Sequence, residues 1–157
     1  KNCYALRFNI EEVHVIGAKA AGVKAINLKK DDVLAAAFIA NTDSLYLLTQ
    51  RGSLKRMAVA DIPVTSRANR GLQVLRELKT KPHRVFVAGP VFGEAVDFDL
   101  FTTEAEASED QILQVLSNKG TAYEINLADL SLSERTSNGS FISDTISDEE
   151  VFSAYIK

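Results

Sequence analysis

Cysteine and histidine are scarce in this sequence. The 157 residues include one cysteine and two histidines, which stand far apart at His14 and His83. A single cysteine cannot form an internal disulfide, which favours a reducing compartment. One cysteine and two separated histidines also fall short of the usual ligand set of a zinc site. We therefore expect no metal site and no cofactor.

Long apolar runs and catalytic signatures are missing as well. No apolar run approaches the roughly 18 residues of a transmembrane helix, which excludes such a helix. The sequence contains no P-loop, no nucleophile elbow and no histidine–carboxylate metal motif, so we expect no catalytic residue. The chain starts at Lys1 without an initiator methionine or a leader, and we expect it to be a piece of a longer protein.

Charge is distributed unevenly along the chain. Residues 1–90 hold 15 Lys and Arg against 7 Asp and Glu, a net charge of +8, and residues 91–157 hold 3 against 14, a net charge of −11. The two values add up to the −3 of the whole chain. Such asymmetry indicates either that one half meets a polyanion or that one domain has two differently solvated faces.

An internal repeat is the strongest signal in the sequence. In each of three segments, a glycine follows a charged residue after 15 positions. Apolar hairpin segments that end in a polar tip and a glycine recur at 45–52 and 113–120, and apolar segments recur at 34–39, 85–88 and 151–156. The three spaced pairs are Arg7 with Gly22, Arg56 with Gly71, and Glu124 with Gly139.

The order of these segments predicts the fold. Each repeat has the pattern strand, tight turn, strand, glycine-terminated loop, strand, polar turn, strand. This is a four-stranded antiparallel unit of roughly 40–50 residues, the size of a propeller blade. We therefore predict an all-β, propeller-like fold in which residues 1–157 form part of one domain. Its repeats cover about 1–42, 43–92 and 111–157, and an acidic loop covers 93–110.

Basic residues cluster in the first two repeats, on the strand after the tight turn and in the loop before the repeated glycine. A loop that combines Lys or Arg with small residues and glycine can contact a phosphate through its side chains and backbone N–H groups. Glu124 replaces the arginine in the third repeat, so we expect that repeat to contact a polyanion poorly. The candidate residues are Arg7, Lys19, Lys24, Lys55, Arg56, Arg67, Arg70, Arg76 and Lys79.

These segments also resemble a known family. Residues 47–56 read LLTQRGSLKR and residues 66–71 read SRANRG, which is similar to the blade repeat of the C-terminal domain of bacterial type IIA topoisomerase A subunits. Residues 17–28, followed by Asp31-Asp32-Val33, resemble the preceding blade of that domain. Gyrase A subunits carry a glutamine-, arginine- and glycine-rich box in one blade loop. No segment here matches that box, which favours the topoisomerase IV branch (ParC) of the family.

The resemblance implies a β-pinwheel, a propeller-like disc whose neighbouring blades exchange strands. It implies that the nine candidate residues bind duplex DNA on a basic outer rim and bend it, which in topoisomerase IV presents the transported segment and sets substrate preference. The implied partners are DNA, the ParE protein and a second copy of the parent chain, in the bacterial cytoplasm at the nucleoid and without a membrane. The tyrosine that cleaves DNA lies in another domain of the family, so no residue here inherits a catalytic role.

Three alternatives stay open. The chain could be a gyrase A domain that wraps DNA. It could instead be a protein-interaction propeller, whose basic half docks an acidic partner and whose segment 89–110 is the recognition loop. In the third alternative the acidic half is regulatory and competes with DNA for the basic rim.

Overall fold

The computed structural model describes most of the chain, and the predicted acidic loop 93–110 lies outside the described residues. The same holds for Asp31-Asp32-Val33 and for most of the predicted strand at 34–39. The described residues are 3–28, 35–37, 39, 44–92 and 111–157.

The described residues form β-strands and short 3₁₀ turns, which confirms the predicted all-β fold. None of them belongs to a helix that is both long and apolar enough to cross a membrane. The 3₁₀ turns are Ile10–Glu12, Val59–Asp61, Leu127–Asp129 and Thr145–Asp148. The strands are β1 (Tyr4–Ala5), β2 (Ser44–Thr49), β3 (Ser53–Ala58), β4 (Leu72–Gln73), β5 (Val85–Val91), β6 (Ile112–Ser117), β7 (Ala122–Asn126), β8 (Ser140–Phe141) and β9 (Val151–Ile156).

Both predicted hairpins are present. Strand β2 pairs with β3, and β6 pairs with β7, each in antiparallel register. Gly52 and Gly120 stand at the two turns with φ of 72° and 86°. The predicted counterpart strands also take equivalent places, because β5 pairs with β2 and β9 pairs with β6.

Neighbouring repeats exchange strands. The described strands form three antiparallel sheets, with the orders β1-β4, β5-β2-β3-β8 and β7-β6-β9. Strands β4 and β8 each follow the repeated glycine of one repeat, but they pair with the hairpin strand of the repeat before it. The four-stranded unit of the second repeat is therefore completed by the third repeat, in the β-pinwheel arrangement that the resemblance implies.

The core lies on both faces of the central strand β2, whose residues Tyr46, Leu47 and Leu48 are all nearly fully buried. Tyr46 and Leu48 face the third sheet, whereas Leu47 faces the first. A strand with covered faces on both sides explains why this segment is apolar without alternation. The partners toward the third sheet include Leu113, Val115, Leu127 and Ile146, and those toward the first are Met57, Ile62 and Val74.

The repeated glycine makes the strand exchange possible at two junctions. Gly71 and Gly139 have φ of 80° and 75°, in the left-handed region that favours glycine. A Cβ at Gly71 would lie 2.3 Å from the carbonyl oxygen of Ala5, and a Cβ at Gly139 would lie 2.3 Å from that of Leu54. Gly22 has a similar φ of 86°, but no described atom lies within 4 Å of its Cβ position.

This difference gives a matched pair of substitutions. Gly22→Ala should lower the free energy of unfolding by about 1 kcal/mol, which is the strain of a left-handed alanine. Gly139→Ala should lower it by about 3 kcal/mol or more, because the added methyl group also forces β8 away from β3. Urea unfolding of the two variants measures the difference. Equal losses would contradict the role of the glycine in strand exchange.

Candidate nucleic-acid interface

The two arginines at the ends of the repeated strands point into the junctions between repeats. Arg56 Nη1 donates to the carbonyl of Ala128, 3.0 Å away, in the 3₁₀ turn of the third repeat. Arg7 Nη1 donates to the carbonyl of Val59, 3.3 Å away, in the equivalent turn of the second repeat. Both side chains are half-buried. These guanidinium groups therefore tie one repeat to the next.

Lys55 lies in the interior, with only 2% of its surface exposed. Its Nζ donates to the carbonyls of Val74 (2.5 Å), Arg135 (2.6 Å) and Ser137 (3.0 Å). Burial lowers the pKa of Lys55 to about 8, which still leaves the ammonium group charged at neutral pH. The predicted place of Lys55 on an outer rim is thus corrected, because its charge is used on carbonyls inside the fold.

Arg67 also anchors the backbone of a neighbouring repeat. The half-buried Arg67 donates from Nη1 to the carbonyl of Lys24 (2.5 Å) and from Nε to the carbonyl of Glu12 (3.2 Å). Arg135, which is its equivalent in the third repeat, donates in the same way to the carbonyl of Gln73. Since the same contact recurs at two junctions, it belongs to the architecture of the repeat.

The remaining predicted side chains are exposed, and some of them meet at the first junction. Hydrogen bonds between the loop 66–71 and the segment 24–27 place Lys24 and Arg70 at this junction, including Asn27 N to Asn69 O at 2.9 Å. The Arg70 guanidinium lies 4.2 Å from the centre of the Tyr4 ring, a cation–π contact that holds it in place. The exposed candidates are Lys19, Lys24, Arg70, Arg76 and Lys79.

Arg76 lies at the second junction. Its backbone N–H donates to Asn138 Oδ1 at 2.8 Å, and its side chain lines an open groove together with Glu134. Asn138 takes the place that Arg70 has at the first junction, so the second junction has one cation fewer and gains a carboxylate. The exposed basic side chains are thus concentrated in the first two repeats.

A further basic cluster, which the sequence analysis did not single out, lies at the hairpin tip of the second repeat. Arg51 Nη1 donates to the carbonyl of Lys81 (3.1 Å) and to His83 Nε2 (3.2 Å). The guanidinium of Arg51 also lies 5.6 Å from the centre of the Phe141 ring. His83 Nδ1 contacts Thr49 Oγ1 at 3.1 Å, which assigns the proton of a neutral ring to Nδ1. The position of Arg51 just before the hairpin glycine is the sequence signal for this cluster.

The chain matches a family model described as DNA gyrase C-terminal domain, beta-propeller, over residues 4–41 and 43–90. It is 69% identical over 157 residues to the DNA topoisomerase 4 A protein of Streptococcus pneumoniae, and the match covers 100% of this chain and 19% of that protein. It is 43% identical over 142 residues to the protein of the same name from Bacillus subtilis, with 90% and 16% covered. The chain thus spans about a fifth of the length of these relatives.

Solved structures show the same fold. The C-terminal domain of DNA topoisomerase IV matches with a TM-score of 0.76 and 32% identity, over 99% of this chain and 44% of that one. The DNA gyrase A C-terminal domain matches with a TM-score of 0.64 and 20% identity, over 99% and 48%, and this second likeness concerns the fold alone.

The buried ammonium group of Lys55 can be tested by removing its charge. Lys55→Met keeps the chain length but leaves several buried carbonyls without a donor, so we expect the free energy of unfolding to fall by about 3 kcal/mol. Lys79→Met, at an exposed position, should change it by less than about 0.5 kcal/mol. Urea unfolding of both variants is the measurement. A Lys55→Met protein as stable as the wild type would contradict the structural role.

His83 predicts a pH dependence of stability. Burial, and next the Arg51 cation, lower the pKa of His83 in the folded chain. Below about pH 6.5 the unfolded histidine takes up a proton that the folded one resists, so stability is lost as the pH falls from there toward the folded pKa. His83→Gln should flatten the decline in the urea midpoint between about pH 7 and 5, whereas His14→Gln, at an exposed position, should retain it. A decline that is unchanged in His83→Gln would refute this assignment.

Proposed function

The chain belongs to the family of DNA gyrase C-terminal β-propeller domains, and on this premise we propose that it is a DNA-binding and DNA-bending domain of a bacterial topoisomerase IV A protein (ParC). In this proposal the domain has no catalytic residue. It holds duplex DNA on a basic surface, presents the transported segment and sets the preference among substrates. The relatives from Streptococcus pneumoniae and Bacillus subtilis, both named for topoisomerase 4, support this branch of the family over gyrase.

The proposal extends to the parent protein. Residues 1–157 would form part of one C-terminal domain, and the full-length parent chain would pair with a second copy and with the ParE protein in the bacterial cytoplasm. The cleaving tyrosine would lie outside this chain. Competition between the acidic half and DNA stays a prediction, because the acidic loop 93–110 lies outside the described residues.

The observation that carries the proposal is the separation of exposed charge between repeats. The first two repeats expose Lys24, Arg70 and Arg76 at or beside their junctions. The third repeat exposes carboxylates, which a polyanion avoids. These acidic residues are Glu124, Asp129, Glu134, Asp144, Asp148 and Glu150.

Side chains of this kind bind DNA through its phosphates, with little dependence on sequence. If the five exposed candidates each neutralised one phosphate, log K would fall with log salt at a slope of about −4.5. Bending DNA around a small disc costs on the order of 1–6 kcal/mol, so affinity should be modest for so few contacts.

A double substitution at the first junction tests the proposal. Lys24→Gln with Arg70→Gln should weaken the binding of a mixed-sequence duplex and make the salt slope shallower by about 2, because two phosphate contacts are lost. Fluorescence anisotropy over a range of salt concentrations measures both quantities. Lys157→Gln, an exposed site in the third repeat, is the matched control and should bind like the wild type.

Two outcomes would count against the proposal. Absence of duplex binding by the wild-type chain at low salt would refute DNA binding itself. Equal weakening by the double variant and by Lys157→Gln would show that net charge, and not this junction, governs binding.

A further inference from the structure

The hairpin tips of the second and third repeats share one scaffold. Gln50 N donates to the carbonyl of Arg84 at 3.0 Å, and its Oε1 accepts from Arg84 N at 2.5 Å. Asn118 N donates to the carbonyl of Glu150 at 2.9 Å, and its Oδ1 accepts from Glu150 N at 3.2 Å. An amide side chain therefore fixes the entry of the following strand at both tips, which makes Arg84 and Glu150 structural equivalents.

The same scaffold carries opposite charge on the two repeats. Arg51 meets His83 at 3.2 Å in the second repeat, and Lys119 meets Glu149 at 3.9 Å in the third. The charged residues near the first tip are basic, whereas most of those near the second are acidic. The first set is Arg51, Lys81 and Arg84, and the second is Asp148, Glu149 and Glu150 with Lys119.

Arg51 is held in a geometry that suits an anion. Both of its hydrogen bonds use Nη1, and within the described part of the chain Nε and Nη2 make none. The Phe141 ring and the Lys81 carbonyl fix the plane of the guanidinium, which reduces the entropy lost when a ligand binds. A fixed guanidinium with free N–H groups matches the oxygen atoms of a phosphate.

The tip lies close to the basic surface proposed above. Asn138 accepts from the backbone of Arg76, and three residues later Phe141 lies under Arg51. Three residues of extended chain span about 10 Å. A duplex about 20 Å wide, with phosphates every few ångströms, is large enough to contact both sites at once.

We propose that the hairpin tip of the second repeat is a DNA-phosphate site in which Arg51 is the main donor, supported by Lys81 and Arg84. The equivalent tip of the third repeat carries carboxylates and repels the DNA backbone. DNA therefore leaves the edge of the domain between these two tips. This inference rests on the proposed function and adds a site that none of the nine sequence candidates contains.

Matched substitutions at the two tips test the inference in this chain. Arg51→Gln should weaken the binding of a mixed-sequence duplex about tenfold at about 0.1 M salt and make the salt slope shallower by about 0.9. Arg51→Lys should keep the slope but recover only part of the affinity, because an ammonium group lacks the planar fork. Lys119→Gln, at the equivalent position, should leave affinity and slope unchanged. The urea midpoint of each variant shows whether the fold is retained.

A second variant tests the repulsion. Asp148→Asn with Glu150→Gln removes two exposed carboxylates and should strengthen duplex binding about threefold at low salt. Unchanged affinity in this variant would overturn the repulsive role of the third tip. Unchanged affinity in Arg51→Gln, or equal loss in Arg51→Gln and Lys119→Gln, would overturn the phosphate site. If Lys24→Gln with Arg70→Gln still weakens binding in that case, the proposed function survives without the tip site, whereas a wild-type chain that binds no duplex refutes both.

Discussion

Pairing of backbone carbonyls across the junctions between repeats is the interaction on which this fold depends. A short strand of one repeat completes the sheet of the repeat before it, and a glycine lets its backbone approach that sheet closely. Thr65 N bonds to the carbonyl of Arg7 at 2.9 Å, and Ser133 N bonds to that of Arg56 at 2.7 Å, so the second junction reproduces the first. Buried carbonyls need donors, and here the next repeat supplies them.

This requirement divides the basic residues into two groups. Arginines that recur at equivalent positions, such as Arg7 with Arg56 and Arg67 with Arg135, donate to carbonyls of a neighbouring repeat. Basic residues without an equivalent are exposed, as Arg70 is where the third repeat has Asn138. Recurrence therefore indicates architecture, because every junction needs the same donors. Departure from the repeat indicates a surface that is free to serve a function.

The same division accounts for the unequal repeats. The third repeat keeps the scaffold, with the Asn118 contact at its tip and Arg135 at its junction, and replaces exposed cations by carboxylates. A change of surface charge costs little stability, because exposed ion pairs contribute only about 0–1 kcal/mol each. Repeats of one fold can thus carry opposite charge and stack without loss.

The sequence by itself determined the all-β fold, the repeat, the hairpins and the strands at 85–91 and 151–156, because apolar runs, turn glycines and fixed spacing are local properties. It also determined that positive charge belongs to the first two repeats. Only the tertiary structure decided what each cation does. Lys55 and Lys79 look alike in the sequence, yet one is buried among carbonyls and the other is exposed, because burial depends on which repeat packs against a strand. The cluster around Arg51 likewise needed the fold, since its partners come from segments about 30 residues or more away.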